Sequence, residues 1–349
     1  MGLVLVIAAV ILGIGHFMGA PWRQRIALLG VLALAVLLIQ LTLPDGHGLR
    51  RATGDRLANW AIFAGVVALV GTYTLVLRRL RDRARARAPE TAQSGPFSAV
   101  ELDRYARHIV LHEVGGAGQQ KLKKARVCVV GAGGLGSPAL LYLAAAGVGT
   151  IGVVDDDMVS LSNLQRQVLH DDASIGLPKV FSAQKRLNAI NPHVEIRPYE
   201  RRLDGKMAQD LFAEYDLILD GSDNFRTRYQ VNAACVALGK PLISAAISAW
   251  EGQISLYHPT EGGPCYACVF PNEPDPDSAP TCSEIGVVGA LPGVVGAMMA
   301  VEAIKWITRS GAPLLGQMVV YDALYAENRK FRMERRTSCP VCGDAAASA

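Results

Sequence analysis

Seven cysteines stand in the chain, and four of them form two Cys-x-x-Cys pairs, Cys265/Cys268 and Cys339/Cys342. Two knuckles of this spacing are the signature of a closed tetrathiolate zinc site in a large, non-secreted protein. A redox dithiol is the competing reading, but neither pair sits in a thioredoxin-like context. A second chemical element is the run Gly131-Ala-Gly133-Gly134-Leu-Gly136, followed by the acids Asp155 and Asp157. A third is a set of phosphate-type side chains: Asn163, Arg166 and Gln167 in one polar loop, then Lys179. Asp223 follows in Asp-Gly-Ser-Asp-Asn. Cys282 sits alone in Ala-Pro-Thr-Cys-Ser-Glu, a loop whose exposure suits a reactive thiol or a spectator. Cys128 and Cys235 fall in apolar runs and read as core.

These residues need elements to hold them. Arg126–Val130 reads as a buried strand, the glycine run as a tight loop and 137–146 as a helix. Thr150–Val154 then reads as a second strand ending at Asp155. Strand, glycine loop, helix, strand and acid in this order predict a parallel α/β sheet that binds a nucleotide. Phosphate lies on the helix N-terminus and the acid takes ribose hydroxyls. Up to Asp155 the pattern fits NAD as well as ATP, and a bare turn is the bland alternative. Gly176-Leu-Pro-Lys179 opens a helix with Pro178 suited to its first turn, and a cation such as Lys179 there opposes the macrodipole, so a phosphate partner explains it better. Cations with a separate carboxylate suit a departing pyrophosphate and its metal more than a dinucleotide. Asp157 either supports Asp155 or caps the following turn.

From about Val100 onward the chain resembles the MoeB/ThiF/HesA family, relatives of the catalytic core of ubiquitin-activating enzymes. The matching stretches are Arg-Tyr-Ala-Arg-His (104–108), the glycine loop, Leu-Ser-Asn-Leu-Gln-Arg-Gln (161–167), Gly-Leu-Pro-Lys (176–179), Asp-Asn (223–224), Glu-Gly-Gln (251–253) and both cysteine pairs. The resemblance implies a doubly wound Rossmann-like sheet with structural zinc. It also implies ATP-dependent adenylylation of the C-terminal glycine carboxylate of a ubiquitin-like sulfur carrier ending in Gly-Gly. By the same token Gly134 and Asp155 contact the nucleotide, and Asn163, Arg166 and Lys179 line its phosphates. Asp223 holds Mg2+, and Arg107 reaches the neighbouring subunit of a homodimer; the bland reading of Arg107 is a surface arginine. In the family the cysteine matching Cys282 can form an adduct with the carrier.

Within the family, similarity is closest to the enzyme of molybdenum cofactor biosynthesis that activates the small subunit of molybdopterin synthase. The thiamine-pathway branch is second. A branch acting on a tRNA base is third, and the zinc pairs argue against it. A NAD-dependent oxidoreductase and a non-catalytic membrane scaffold are the readings from other classes. No rhodanese-like segment follows Cys342, so a separate sulfur donor is expected.

The first ~90 residues have no counterpart in typical members, which are soluble. The chain of 349 residues is 50% apolar, and part of that is spent near its start. Three charge-free stretches, 3–20, 26–43 and 58–77, each approach the ~20 residues that cross a bilayer. They lack the basic head of a signal peptide. Arg78, Arg79, Arg81, Arg83, Arg85 and Arg87 follow. A basic run at this position marks a cytoplasmic flank rather than a nucleic-acid site. Arg50, Arg51 and Arg56 in the outer loop run against that rule. His16 is either functional or, near a helix end, at the interface. The expected organisation is a three-helix anchor over 1–80, a basic linker over 81–97 and an adenylyltransferase domain over 98–349. It places a multi-pass protein in the inner membrane with its catalytic part in the cytoplasm. The apolar run 292–307 is expected to be a buried or dimer-facing helix, because Glu302 and Lys305 interrupt it.

Overall fold

The computed structural model describes residues 2–19, 21–44, 46–54, 57–87, 95–273 and 286–343. The chain divides into two compact units, Met1–Ser94 and Gly95–Ala349. Cys282 lies outside the described residues.

The first unit holds α1 (Gly2–Phe17), α2 (Trp22–Thr42), α3 (Gly48–Gly54) and α4 (Leu57–Arg87). By length and composition, Trp22–Thr42 and Gly48–Leu80 suffice to cross a membrane. The first apolar stretch was expected to run to Ala20, but its helix ends at Phe17 and Gly19 turns with φ 65°. At 1.5 Å per residue α1 measures about 24 Å, short of the ~30 Å hydrocarbon core. Gln40 of α2 is buried and donates to Thr53 Oγ1 at 3.1 Å and Gly54 O at 3.2 Å, which ties α3 back onto α2.

The second unit begins with α5 (Ala99–Arg104), α6 (Ala106–Ile109) and α7 (Gly115–Lys124). Ser98 and Glu101 form a reciprocal capping box at the start of α5. There follow β1 (Arg126–Val130), α8 (Gly136–Ala146), β2 (Thr150–Asp155), α9 (Lys179–Ile190), β3 (Glu195–Glu200) and α10 (Gly205–Phe212). Then come β4 (Leu217–Asp220), α11 (Phe225–Ala237), β5 (Leu242–Ile247), β6 (Glu251–Tyr257) and α12 (Tyr266–Val269). The unit ends with α13 (Ala290–Thr308), β7 (Gln317–Asp322) and β8 (Glu327–Arg332).

The strands make one sheet in the order β3-β2-β1-β4-β5-β6-β7-β8. The first five run parallel, and β6, β7 and β8 join antiparallel. The sheet is therefore mixed, and the doubly wound expectation covers only its parallel part. For β5–β6 and β7–β8 the reason is connection length: 248–250 and 323–326 are too short for a crossover, so each must turn a hairpin. One face packs Leu140, Leu143, Leu187 and Met299 from α8, α9 and α13. The other packs Phe212, Val231 and Cys235 from α10 and α11. Each large apolar side chain so buried contributes roughly 1.5–3 kcal/mol. α13 is long and apolar enough to span a bilayer, yet it packs on α8, β5 and β6. A Cβ on Gly296 would meet the Leu135 carbonyl at 2.3 Å, so glycine permits this close crossing. Glu302, inside α13, accepts from Lys305 at 2.6 Å and from the Leu314 N–H at 2.9 Å.

Candidate active site and thiol cluster

The glycine loop leaves the buried end of β1 and enters α8. Gly131 has φ 92° and donates its N–H to Val154 O at 2.8 Å. A Cβ on Gly136 would lie 1.8 Å from the Gly131 carbonyl oxygen, so no other residue fits there without moving backbone. No side chain caps α8, and its first turn contains no acid. Ser137 N–H already donates to Gly133 O at 2.8 Å and Pro138 has no N–H, so the positive end of the helix dipole, rather than a row of free amides, faces the glycine loop.

Asp155 ends β2 beside this loop. Its Oδ2 accepts the Ala132 N–H at 2.7 Å and its Oδ1 the Asp157 N–H at 2.8 Å. The carboxylate thus braces the loop, while keeping lone pairs for a ligand. Burial raises its pKa, against the lowering pull of Lys179 and the two amides. Lys179 is only 4% exposed and puts Nζ 2.7 Å from Oδ2 of Asp157, whose side chain is 66% exposed. Asp157 thus meets Asp155 through its backbone N–H and the buried lysine through its side chain. Pro178 stands just before α9 rather than in its first turn.

The polar loop adds a short 3-10 turn, Leu161–Asn163. Arg166 donates to Asn163 Oδ1 at 3.0 Å and to Ser162 O at 3.2 Å. Gln167 is buried, with Nε2 3.5 Å from where a Gly133 Cβ would stand and Oε1 unpartnered. His170 is a structural member of the site that sequence reasoning passed over. Its Nε2–H donates to Ala132 O at 3.0 Å, and its Nδ1 accepts from the Ser182 hydroxyl at 2.9 Å. Burial lowers its pKa, which favours this neutral form. The only sequence signal was its place at the end of the Leu-Gln-Arg-Gln-Val-Leu-His run.

Asp223 sits exposed in the loop between β4 and α11. That loop lies against the glycine loop: Gly221 N–H donates to Val130 O at 2.9 Å, and a Cβ on Gly131 would meet Gly221 O at 3.0 Å. Asn224 caps α11 by accepting the Thr227 N–H at 2.9 Å. Beneath the loop are the buried Asp220 and Arg228, a pair the sequence did not reveal. The structure brings the glycines together with Asp155, Asp157 and Lys179 and sets Arg166 and Gln167 against Gly134 and Gly133, while the loop that carries Asp223 abuts Gly131. Arg107 is exposed on α6, and among the described residues no hydrogen bond or ion pair links it to Asp155, Arg166, Lys179 or Asp223.

The second cluster is apart from the first. Cys265, Cys268, Cys339 and Cys342 are all buried, and their sulfurs lie within 4.8 Å of one another. Edges of 3.8, 3.6 and 3.4 Å separate Cys265–Cys268, Cys265–Cys339 and Cys268–Cys342. Four sulfurs around zinc at ~2.3 Å stand about 3.8 Å apart in a tetrahedron, so the set fits that ion. Burial raises the Cys339 thiol, but the N–H groups of Cys342 and Val341 hold it down at about 7. The Arg336 N–H adds a bond to Cys268 Sγ at 3.5 Å.

The ThiF family profile matches residues 105–341. The chain belongs to the ThiF family. It is 53% identical over 248 residues to the sulfur carrier protein adenylyltransferase of Thermus thermophilus, covering 70% of this chain and 92% of the relative. It is 46% identical to the SAMP-activating enzyme E1 of Haloferax volcanii, with 71% and 91% coverage. The adenylyltransferase/sulfurtransferase MoeZ of Mycobacterium tuberculosis is 48% identical, but this chain spans only 65% of it. Among solved structures, Escherichia coli MccB with ATP superposes at a TM-score of 0.61 and 27% identity, over 69% of this chain and 75% of that one. PaaA shares the fold at 20% identity and a TM-score of 0.60, over 85% and 92% of the two chains.

Proposed function

We propose that the Gly95–Ala349 unit adenylylates the C-terminal glycine carboxylate of a ubiquitin-like sulfur-carrier protein, with ATP as the donor. The observation that carries the reading is the buried Lys179, held by a half-solvated Asp157 beside a glycine loop and an uncapped helix. A buried ammonium at a helix start is unfavourable unless anions meet it. ATP phosphates are such anions, and the relatives named for adenylyl transfer favour ATP over NAD.

In the reaction a carboxylate oxygen forms a bond to the α-phosphorus, and the bond from that phosphorus to the bridging oxygen breaks. Pyrophosphate leaves with the electron pair, and no proton needs to move. A general base is therefore unnecessary, and the protein supplies position and charge. Arg166 and Lys179 carry the phosphate charge, with Asn163 orienting Arg166. Asp155 holds the loop and offers its free lone pairs to ribose. Asp223, an exposed carboxylate in the loop that abuts Gly131, is the donor type magnesium accepts alongside phosphate oxygens. Asp223 would hold magnesium there, and the ion would supply neutralisation of the triphosphate charge. Zinc in the thiolate cluster is structural.

Finer features of the reading follow from the family. The carrier is the MoaD-like subunit used for molybdopterin, with a ThiS-like carrier of thiamine synthesis as the second choice. A separate protein donates sulfur, and a homodimer supplies Arg107 across the subunit boundary. Cys282 is the candidate for an adduct with the carrier. The apolar helices anchor the protein in the inner membrane, leaving the catalytic unit in the cytoplasm. The test is ATP–pyrophosphate exchange by the full-length protein in detergent, adding candidate carriers one at a time. Exchange that needs one carrier's terminal glycine and disappears in Asp223→Ala supports the reading. NAD binding without ATP binding would overturn it.

A further inference from the structure

Arg228 lies on the first turns of α11, is 6% exposed, and turns back under the loop that carries Asp223. Its guanidinium donates to the Ser222 carbonyl, to Ala245 O at 2.7 Å and to Ser244 Oγ at 3.3 Å. It stands 3.8 Å from Oδ2 of Asp220, the fully buried last residue of β4. Asp220 in turn accepts the Ser222 N–H at 3.0 Å, the Ser222 hydroxyl at 2.6 Å and the Ser244 hydroxyl at 3.0 Å.

Ser222 is thus gripped from both sides, its N–H and hydroxyl by Asp220 and its carbonyl by Arg228. That carbonyl belongs to the peptide unit leading into Asp223. Asn224, on the far side of Asp223, is fixed as the cap of α11. Asp223 is left exposed in its side chain and constrained at both of its backbone neighbours. A buried ion pair adds little net stability compared with apolar residues of the same volume, so stability alone gives no account of this one. Positional control does.

We propose that Arg228, braced by Asp220, is a positioning residue that fixes Asp223 where its carboxylate meets the metal–triphosphate. This rests on the adenylyltransferase reading. It assigns Arg228 no contact with the reacting atoms. Lysine at 228 keeps the charge beside Asp220 but cannot reach Ser222 O and Ala245 O together, since it lacks the planar fork.

The experiment is calorimetric binding of α,β-methylene-ATP to the full-length protein in detergent, with magnesium and separately in magnesium-free buffer without chelator. Arg228→Lys is expected to weaken magnesium-dependent binding roughly 10- to 100-fold, the usual range for an outer partner of a metal ligand. Binding without magnesium should change less than about twofold, because Arg228 touches no phosphate site directly. In an Asp223→Ala background, adding Arg228→Lys should cost nothing further. Ser244→Ala, which removes one brace of the pair, should shift binding in the same direction by a smaller factor, and it carries the test if Arg228→Lys melts early. Equal weakening with and without magnesium, or additive loss in the double variant, would overturn the proposal. So would a rise confined to the KM for the carrier in pyrophosphate exchange, which would place Arg228 in the path of the carrier's tail. Absence of nucleotide binding by the unsubstituted protein would instead defeat the adenylyltransferase reading itself.

Discussion

Asp157→Asn separates the resting state of the site from its loaded state. The substitution keeps the backbone links, Asp157 N–H to Asp155 and Asp157 O to the Lys179 N–H. It removes the carboxylate that, among the described residues, meets the Lys179 ammonium at 2.7 Å. Breaking a fully buried pair costs ~3–5 kcal/mol, whereas an exposed pair is worth about 0–1. Lys179 is 4% exposed and Asp157 66%, so this pair lies between the limits. The expected loss for the nucleotide-free protein is ~1–2 kcal/mol, or roughly 2–8 °C in Tm for a domain of this size. ATP brings its own anions to Lys179. Saturating magnesium-ATP should therefore close most of the gap, and affinity for ATP should hold or rise because a competing carboxylate is gone. Differential scanning calorimetry with and without nucleotide measures both. A Tm gap that persists under ATP, or an affinity about tenfold weaker, would refute the idea that Asp157 stands in for phosphate.

Cys342→Ser removes one of four thiolates, and a ~100-fold loss of zinc affinity corresponds to ~2.7 kcal/mol by linkage. Thermal melting should fall by about 5–10 °C and zinc should pass faster to a competing chelator; unchanged retention would rule out the tetrathiolate site. Gly136→Ala places a methyl 1.8 Å from the Gly131 carbonyl, so nucleotide binding should vanish while the thiolate cluster still takes up zinc. His170 and His258 are both held below the ordinary histidine range, chiefly by burial. The unfolded chain therefore binds more protons than the folded one as pH drops below ~6.5, and stability falls there. His170→Gln, which retains an N–H for Ala132 O, should flatten the decline of Tm between about pH 6.5 and 5. A slope as steep as that of the unsubstituted protein would show that His170 already titrates normally in the fold.

The parts of the fold legible in sequence were those in which backbone demands leave few alternatives. The run Val127–Val130 is apolar on both faces, which a central parallel strand requires, and Gly136 answers a contact that excludes any Cβ. The cysteine pairs were legible because the repeated Cys-x-x-Cys spacing lets two short turns present four sulfurs to one another, as they do here. Strands β6 to β8 were not anticipated, since their hairpins depend on loop lengths that carry no glycine-loop signature. The roles of His170, Asp220 and Arg228 are set by neighbours 38, 24 and 17 residues away in sequence, which local pattern reading does not reach. The end of α1 at Phe17 was missed because apolar composition continues past it to Ala20.

The thiol cluster joins α12, just after β6, to the turn that follows β8, and the partners Cys265–Cys339 and Cys268–Cys342 are each 74 positions apart in sequence. Contacts this far apart along the chain form slowly. The ribosome releases β1 through β5 long before Cys342, so the nucleotide half can be shaped while the thiols are still unpaired. Zinc captured by the four thiols would then act as a late maturation step that latches the antiparallel half after the parallel half is built. Cells starved of zinc would accumulate chains with a built nucleotide pocket and an unlatched far edge, a form that proteases would recognise before any substrate did.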